Sequence, residues 1–235
     1  MTKNNNKISY NEIKNIEPEE EDLQIKNLSS YKEEWINSIK PEHNKISLYF
    51  PKWDKILRGK LRQKLIVMFG YSGTKKSILA KLISKYNADI YNNTVLYSSM
   101  EMGAVDVINR IMDMSISDCD YNASYYLERL NRDKPDFVSK QYDEFSKMYG
   151  DKLLITEKSS MDCSLYDKCL TKCKQNGNKV DILIVDGLSM MGGNGTENEL
   201  YSKHSKELKD LSKKWNILIL LIAHVSKGGD RMDKD

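Results

Sequence analysis

The chain has no long apolar run. Its longest, ILILLIA at 217–223, is seven residues, whereas a helix needs about 20 to cross a bilayer. The opening MTKNNNKISY has no apolar stretch behind its first charges, so it does not read as a secretory leader. With no membrane segment in sight, the expected location is cytoplasmic. Cysteine is scarce: Cys119, Cys163, Cys169 and Cys173 lack the paired short spacings of a zinc ribbon or finger, and they read as reduced structural thiols. Neither sign of charge dominates, since 37 basic residues against 34 acidic give +3. Net charge alone therefore neither establishes a polyanionic partner nor repels one. No internal repeat is visible.

What remains is a 40% hydrophobic chain of 235 residues, enough for one sizeable core. Residues 1–45 form a polar arm that includes the acidic run EPEEED at 17–22. A short helix is expected in SSYKEEWINSIK, with Ser30 as N-cap and Trp35, Ile36 and Ile39 as its apolar positions. From Ile46 to Asp235 the pattern changes to short apolar runs separated by amphipathic stretches.

The strand candidates are KLIVMF from Lys64, TVLYSS from Thr94, KLLIT from Lys152, DILIV from Asp181 and ILILLIA from Ile217. Most are apolar throughout, as parallel strands covered on both faces must be. Helices are expected at 76–85, 104–114, within 122–148, at 164–174 and at 199–214. Strand and helix in alternation predict a three-layer αβα fold around a mainly parallel sheet, with ligands at the carboxyl ends of the strands.

Chemistry-bearing residues fall at those ends. GYSGTKKS, Gly70 to Ser77, follows one strand and opens a helix, the context of a phosphate-binding P-loop. Gly70, Gly73, Thr74, Lys75, Lys76 and Ser77 are then the ATP-binding residues, with Lys76 on phosphate and the Ser77 hydroxyl on Mg2+. Lys75 departs from the G-x-x-x-x-G-K-[ST] pattern, which has glycine there. If that position is left-handed, a side chain costs about 1–2 kcal/mol.

Asp186 closes an apolar strand and is read as a second metal carboxylate, on a strand neighbouring the loop strand; a helix cap is the other reading. Glu101, in TVLYSSMEMG, suits a base that orients or deprotonates the attacking water, or an exposed residue opening the next helix. His224 ends the last strand, where it senses the nucleotide or is merely hydrogen-bonded.

The order of these segments resembles the RecA-like motor domain of DnaB-type replicative helicases, particularly their phage versions. The resemblance runs from about Ile46 to the end, through FPKWDKILRGKLRQKLIVMFG, LYSSMEMG, VDILIVDGLSMM and NILILLIAHVSK. It implies an ATP-hydrolysing DNA helicase that translocates on single-stranded DNA as a homo-oligomer, a hexameric ring, and meets a primase or a helicase loader. Location would be the host cytoplasm if the protein is phage-encoded. It implies Glu101 as catalytic base with Lys76 and His224 beside it, Ser77 and Asp186 at the metal, and Arg110 in a role it leaves open.

The segments GGNGTEN and SKGGDR, the latter offering Lys227 and Arg231, suit DNA in a central channel; solvated surface loops are the other reading. The family's amino-terminal helical domain is not recognisable, and the chain reads as truncated before the hairpin that reaches the neighbouring subunit. A recombinase-like or clock-like ATPase that controls assembly stays open, as does a nucleotide- or DNA-binding module without efficient hydrolysis.

Overall fold

A computed structural model describes residues 27–39, 45–116 and 132–224. Two compact units separate at residues 41 and 42.

In the smaller unit a 3-10 turn, Leu28–Tyr31, leads into helix α1, Lys32–Ile39. The cap is Asn27, not Ser30. The Asn27 carboxamide accepts the Ser30 N–H at 3.1 Å, and Ser30 lies inside the turn. A short side chain accepting from an early backbone N–H is the chemistry expected of a cap; it begins three residues earlier than the serine pattern suggested.

Among the described residues the larger unit carries five parallel strands: β1 (Lys64–Gly70), β2 (Val95–Ser99), β3 (Leu153–Thr156), β4 (Ile182–Asp186) and β5 (Leu218–His224). Its helices are α2 (Pro51–Leu57), α3 (Lys76–Tyr91), α4 (Ala104–Ile116), α5 (Pro135–Tyr149), α6 (Cys163–Gln175) and α7 (Glu197–Trp215). All five expected strands are present. Helix α3 runs six residues beyond the expected Lys85 and ends at Asn92, whose left-handed backbone stops it. Among the described residues no helix is long and apolar enough to cross a membrane.

The strands lie in the order β1-β5-β4-β2-β3. This corrects one expectation: the strand of Asp186 does not neighbour the loop strand, because β5 lies between them. Central position explains why β4 is buried at every residue, while β1, paired on one side only, leaves Val67 and Phe69 exposed.

Alternation along the strands decides which helices each side chain meets. Ile182 and Ile184 of β4, and Leu218, Leu220 and Ile222 of β5, pack with Ala80 and Ile83 of α3 and Val107 and Ile111 of α4. Leu183, Val185, Ile219 and Leu221 face the other way, onto Tyr166 and Leu170 of α6 and Leu208 and Leu211 of α7. The result is the expected three-layer αβα core. By the same period of two, Asp186 shares the face of Ile182 and Ile184 and is directed toward α3.

Candidate nucleotide and metal site

The loop between β1 and α3 is built by two glycines with different duties. A Cβ on Gly70 would come within 3.1 Å of Thr74 Oγ1 and 3.7 Å of Lys76 Cδ, so glycine there makes room for the lysine to fold back. Gly73 has open space around it but φ +81, a conformation that a side chain strains. Lys75 is left-handed as well, with φ 64 and ψ 23, and is the residue from which α3 starts. The condition attached to its substitution for glycine is therefore met.

Lys76 is nearly buried. Its Nζ donates to Gly70 O and Tyr71 O, both at 2.8 Å, and reaches Thr74 Oγ1 at 3.3 Å, so the ammonium is curled under the loop. One residue on, Ser77 Oγ donates to Asp186 Oδ1 at 2.9 Å. A hydroxyl from the first turn of a helix and a carboxylate from a strand two places away thus meet at one point. Both are hard oxygen donors of the kind that hold Mg2+, so the residues present fit that ion.

Two further residues close on the same carboxylate, and sequence reasoning missed both. Tyr97, fully buried on β2, donates its hydroxyl to Asp186 Oδ2 at 2.5 Å. Lys81, fully buried one turn after Ser77, places Nζ 3.1 Å from Tyr97 Oη, 3.4 Å from Ser77 O and 3.9 Å from Asp186 Oδ2. Burial pulls the Lys81 ammonium down to about 8 against the opposing pull of Asp186. The Tyr97 phenol is pushed well above its usual range by burial first and by Asp186 second, which keeps it protonated and donating. A lysine in mid-helix and a tyrosine in an apolar strand gave no signal beyond a solvated face and a core aromatic.

On the other side of the loop, register pairs Gly70 with His224. The His224 Nε2 lies 3.2 Å from Glu101 Oε1, and neither ring nitrogen has an aligned hydrogen bond. Glu101 itself lies just past the end of β2, beneath Gly187, whose φ of +121 lets the chain turn directly after Asp186. The helix-opening role expected of a glutamate at this point belongs to Glu157 instead, which accepts the Ala104 N–H at 2.7 Å. The Glu101 carboxylate is thereby left facing His224. Arg110, on α4, is exposed, and its charge reaches Lys81 and Tyr97.

The geometry thus gathers Gly70, Gly73, Thr74, Lys75, Lys76, Ser77, Asp186, Glu101 and His224 at the carboxyl edge of one sheet. Lys227 and Arg231 lie outside the described residues. In GGNGTEN the last two residues are already helix: Thr196 caps α7 in a capping box with Glu199. The segment carries no basic side chain.

Comparison with known proteins speaks for the family and the fold. A family model described as the DnaB-like helicase C terminal domain matches residues 46–235. Among solved structures, one described as an ATPase domain superposes with a TM-score of 0.64 at 18% identity, over 87% of this chain and 72% of that one. A DnaB-like replicative helicase, described with its interactions with primase, gives 0.64 at 16% identity over 89% of this chain. Only 51% of that chain is covered, so the present sequence spans about half its length. At these identities the two structures speak for the fold. A search of curated proteins gave no significant match.

Proposed function

We propose, for a chain that belongs to the family of DnaB-like helicase C-terminal domains, that the edge of the sheet just described is its ATP-hydrolysing centre. Membership makes the chain an ATP-dependent replicative helicase motor; the residue roles below are our reading. The observation that carries it is the meeting of Ser77 and Asp186 at 2.9 Å beside a curled lysine.

In this reading the backbone N–H groups of Gly73 to Ser77 and the first turn of α3 take the phosphates of ATP, as a helix amino terminus favours. Lys76 exchanges its carbonyl partners for phosphate oxygens. Ser77 and Asp186 hold Mg2+, which when bound neutralises charge on the phosphates. Glu101 orients the attacking water and accepts its proton, with His224 fixing the carboxylate from the end of β5. Tyr97 keeps Asp186 in place from beneath, and the buried Lys81 ammonium lies close to the same carboxylate.

Single-stranded DNA as the track, a homo-oligomeric ring, and a primase or loader as partner are proposals that rest on the family. Lys227 and Arg231 are the basic residues proposed to meet DNA phosphates, and that binding would weaken with salt. A module that binds nucleotide without efficient turnover is the second reading, favoured by one observation, the left-handed Lys75.

Steady-state ATP hydrolysis with and without single-stranded DNA, in wild type and Glu101→Gln, tests the proposal. The motor reading expects DNA-stimulated turnover that falls by at least about a hundredfold in the variant, equivalent to about 2.7 kcal/mol of transition-state stabilisation, with nucleotide affinity kept. Turnover that survives the substitution would remove Glu101 from the chemistry.

A further inference from the structure

On the face of the sheet opposite α3 and α4, three side chains of different chemistry converge between α6 and α7. Cys163 is the first residue of α6, placed just after Asp162 caps the helix through the Leu165 N–H. His204 and Glu207 stand nearly one turn apart on α7, the spacing that puts two side chains on one helix face. One ligand atom from each of the three lies within 4.8 Å of the other two.

The histidine is the unusual member. His204 is 2% exposed, and neither of its ring nitrogens has a hydrogen-bond partner. A buried polar group without a partner calls for a bound water or an ion. Its Nδ1 stands 3.7 Å from Glu207 Oε2, and an added Cβ on Gly193 would lie 3.8 Å from Nε2. The carboxylate of Glu207 is 39% exposed, which gives a cation a way in from solvent. Its other oxygen, Oε1, stands 3.8 Å from the exposed Lys203 ammonium, a competing charge at the rim.

We propose that Cys163, His204 and Glu207 form a binding site for a thiophilic divalent cation, zinc by its donor set. A thiolate, an imidazole and a carboxylate are the three ligand types that zinc accepts, while the sulfur and nitrogen disfavour Mg2+ and Ca2+. Zinc bonds of about 2.0–2.3 Å bring tetrahedral ligand atoms to roughly 3.3–3.8 Å from one another. The His204 Nδ1–Glu207 Oε2 separation of 3.7 Å already lies in that range, and all three ligand atoms lie within 4.8 Å of one another. Three protein ligands leave a fourth position for water.

The site pins the start of α6 to the middle of α7, the helix that follows the loop leaving Asp186. It acts as a staple between Cys163 and His204, 41 positions apart in sequence, and the cysteine spacings alone could not reveal it. Binding needs neither nucleotide nor DNA, so it stands apart from the ATPase reading.

The test uses the full chain, stripped with a chelator under reducing conditions and titrated with Co2+ alone and then with Zn2+. The expected result is one tight Co2+ per chain with a thiolate-to-cobalt charge-transfer band, bleached by Zn2+, and a rise in Tm of several degrees as Zn2+ binds the native state. Cys163→Ser removes the band, Glu207→Gln weakens binding at least tenfold, and Cys169→Ser changes neither. Glu207 is partly exposed, so its variant keeps the test open if changes at His204 unfold the chain. A missing band, a band that survives Cys163→Ser, or one lost equally in Cys169→Ser would overturn the site and leave a buried water on His204 as the explanation.

Discussion

Strand β4 begins beside one buried aspartate and ends on another, and the two lead different lives. At the amino end of the strand, Asp181 takes the Arg62 guanidinium at 2.7 Å on one oxygen and the Thr94 N–H at 2.9 Å on the other. At the carboxyl end, Asp186 takes the hydroxyls of Ser77 and Tyr97, with the Lys81 ammonium at 3.9 Å. A guanidinium and a backbone N–H have nothing better to do, and they make Asp181 a fastening. Hydroxyls exchange readily for a metal ion, and helix and loop N–H groups gather only at the carboxyl edge of a parallel sheet. Position in the sheet and exchangeability of partners, not residue type, separate a structural carboxylate from a chemical one.

The largest break in that comparison should come from Asp186→Asn. It keeps a side chain of the same shape beside both hydroxyls but removes the negative charge at the proposed metal position, and turnover is expected to fall at least about a hundredfold. Circular dichroism should stay near wild type, while Tm falls modestly because the buried Lys81 ammonium loses its counter-charge. A variant that hydrolyses ATP normally would reduce Asp186 to another fastening.

Asp181→Ala should do the reverse. It leaves the largely buried Arg62 guanidinium with only the Asn216 carbonyl and the Thr94 N–H without its acceptor, at a cost of roughly 3 kcal/mol, which for a domain of this size lowers Tm by about 6–12 °C. The kcat of the folded fraction should hold within about twofold.

A finer separation comes from Lys81→Met. An ammonium 3.9 Å from Asp186 opposes a second cation there, so its removal is expected to lower the Mg2+ concentration needed for nucleotide binding by roughly three- to tenfold. Fluorescent-nucleotide binding across a Mg2+ series reads this without turnover. If Lys81 merely props up the core, the Mg2+ requirement rises instead.

Much of the site was legible because it sits where strands end. Apolar runs marked all five strands, and the glycines, Lys76, Ser77, Glu101, Asp186 and His224 each followed one of them. The order of strands was not legible: nothing in the chain says that β5 inserts between β1 and β4, since chain order and sheet order part company at each crossover. Lys81 and Tyr97 were hidden for a different reason. Periodicity assigns a helix lysine to solvent and a strand tyrosine to the core, and only the packed structure shows the two meeting under a carboxylate. Cys163, His204 and Glu207 were hidden by separation, because their proximity is a product of how α6 lies on α7.

As proposed, the loop from Gly70 to Ser77 works as an ATPase site although Lys75 stands left-handed at φ 64 where the pattern has glycine. The direct measurement is single-stranded-DNA-stimulated ATP turnover of the wild type beside Lys75→Gly. The account predicts that the wild type turns over and that the glycine variant, relieved of about 1–2 kcal/mol of backbone strain, gains stability while its kcat stays within about threefold. A wild type that binds nucleotide yet does not hydrolyse it, and that Lys75→Gly fails to rescue, would contradict the account and leave the loop a phosphate holder.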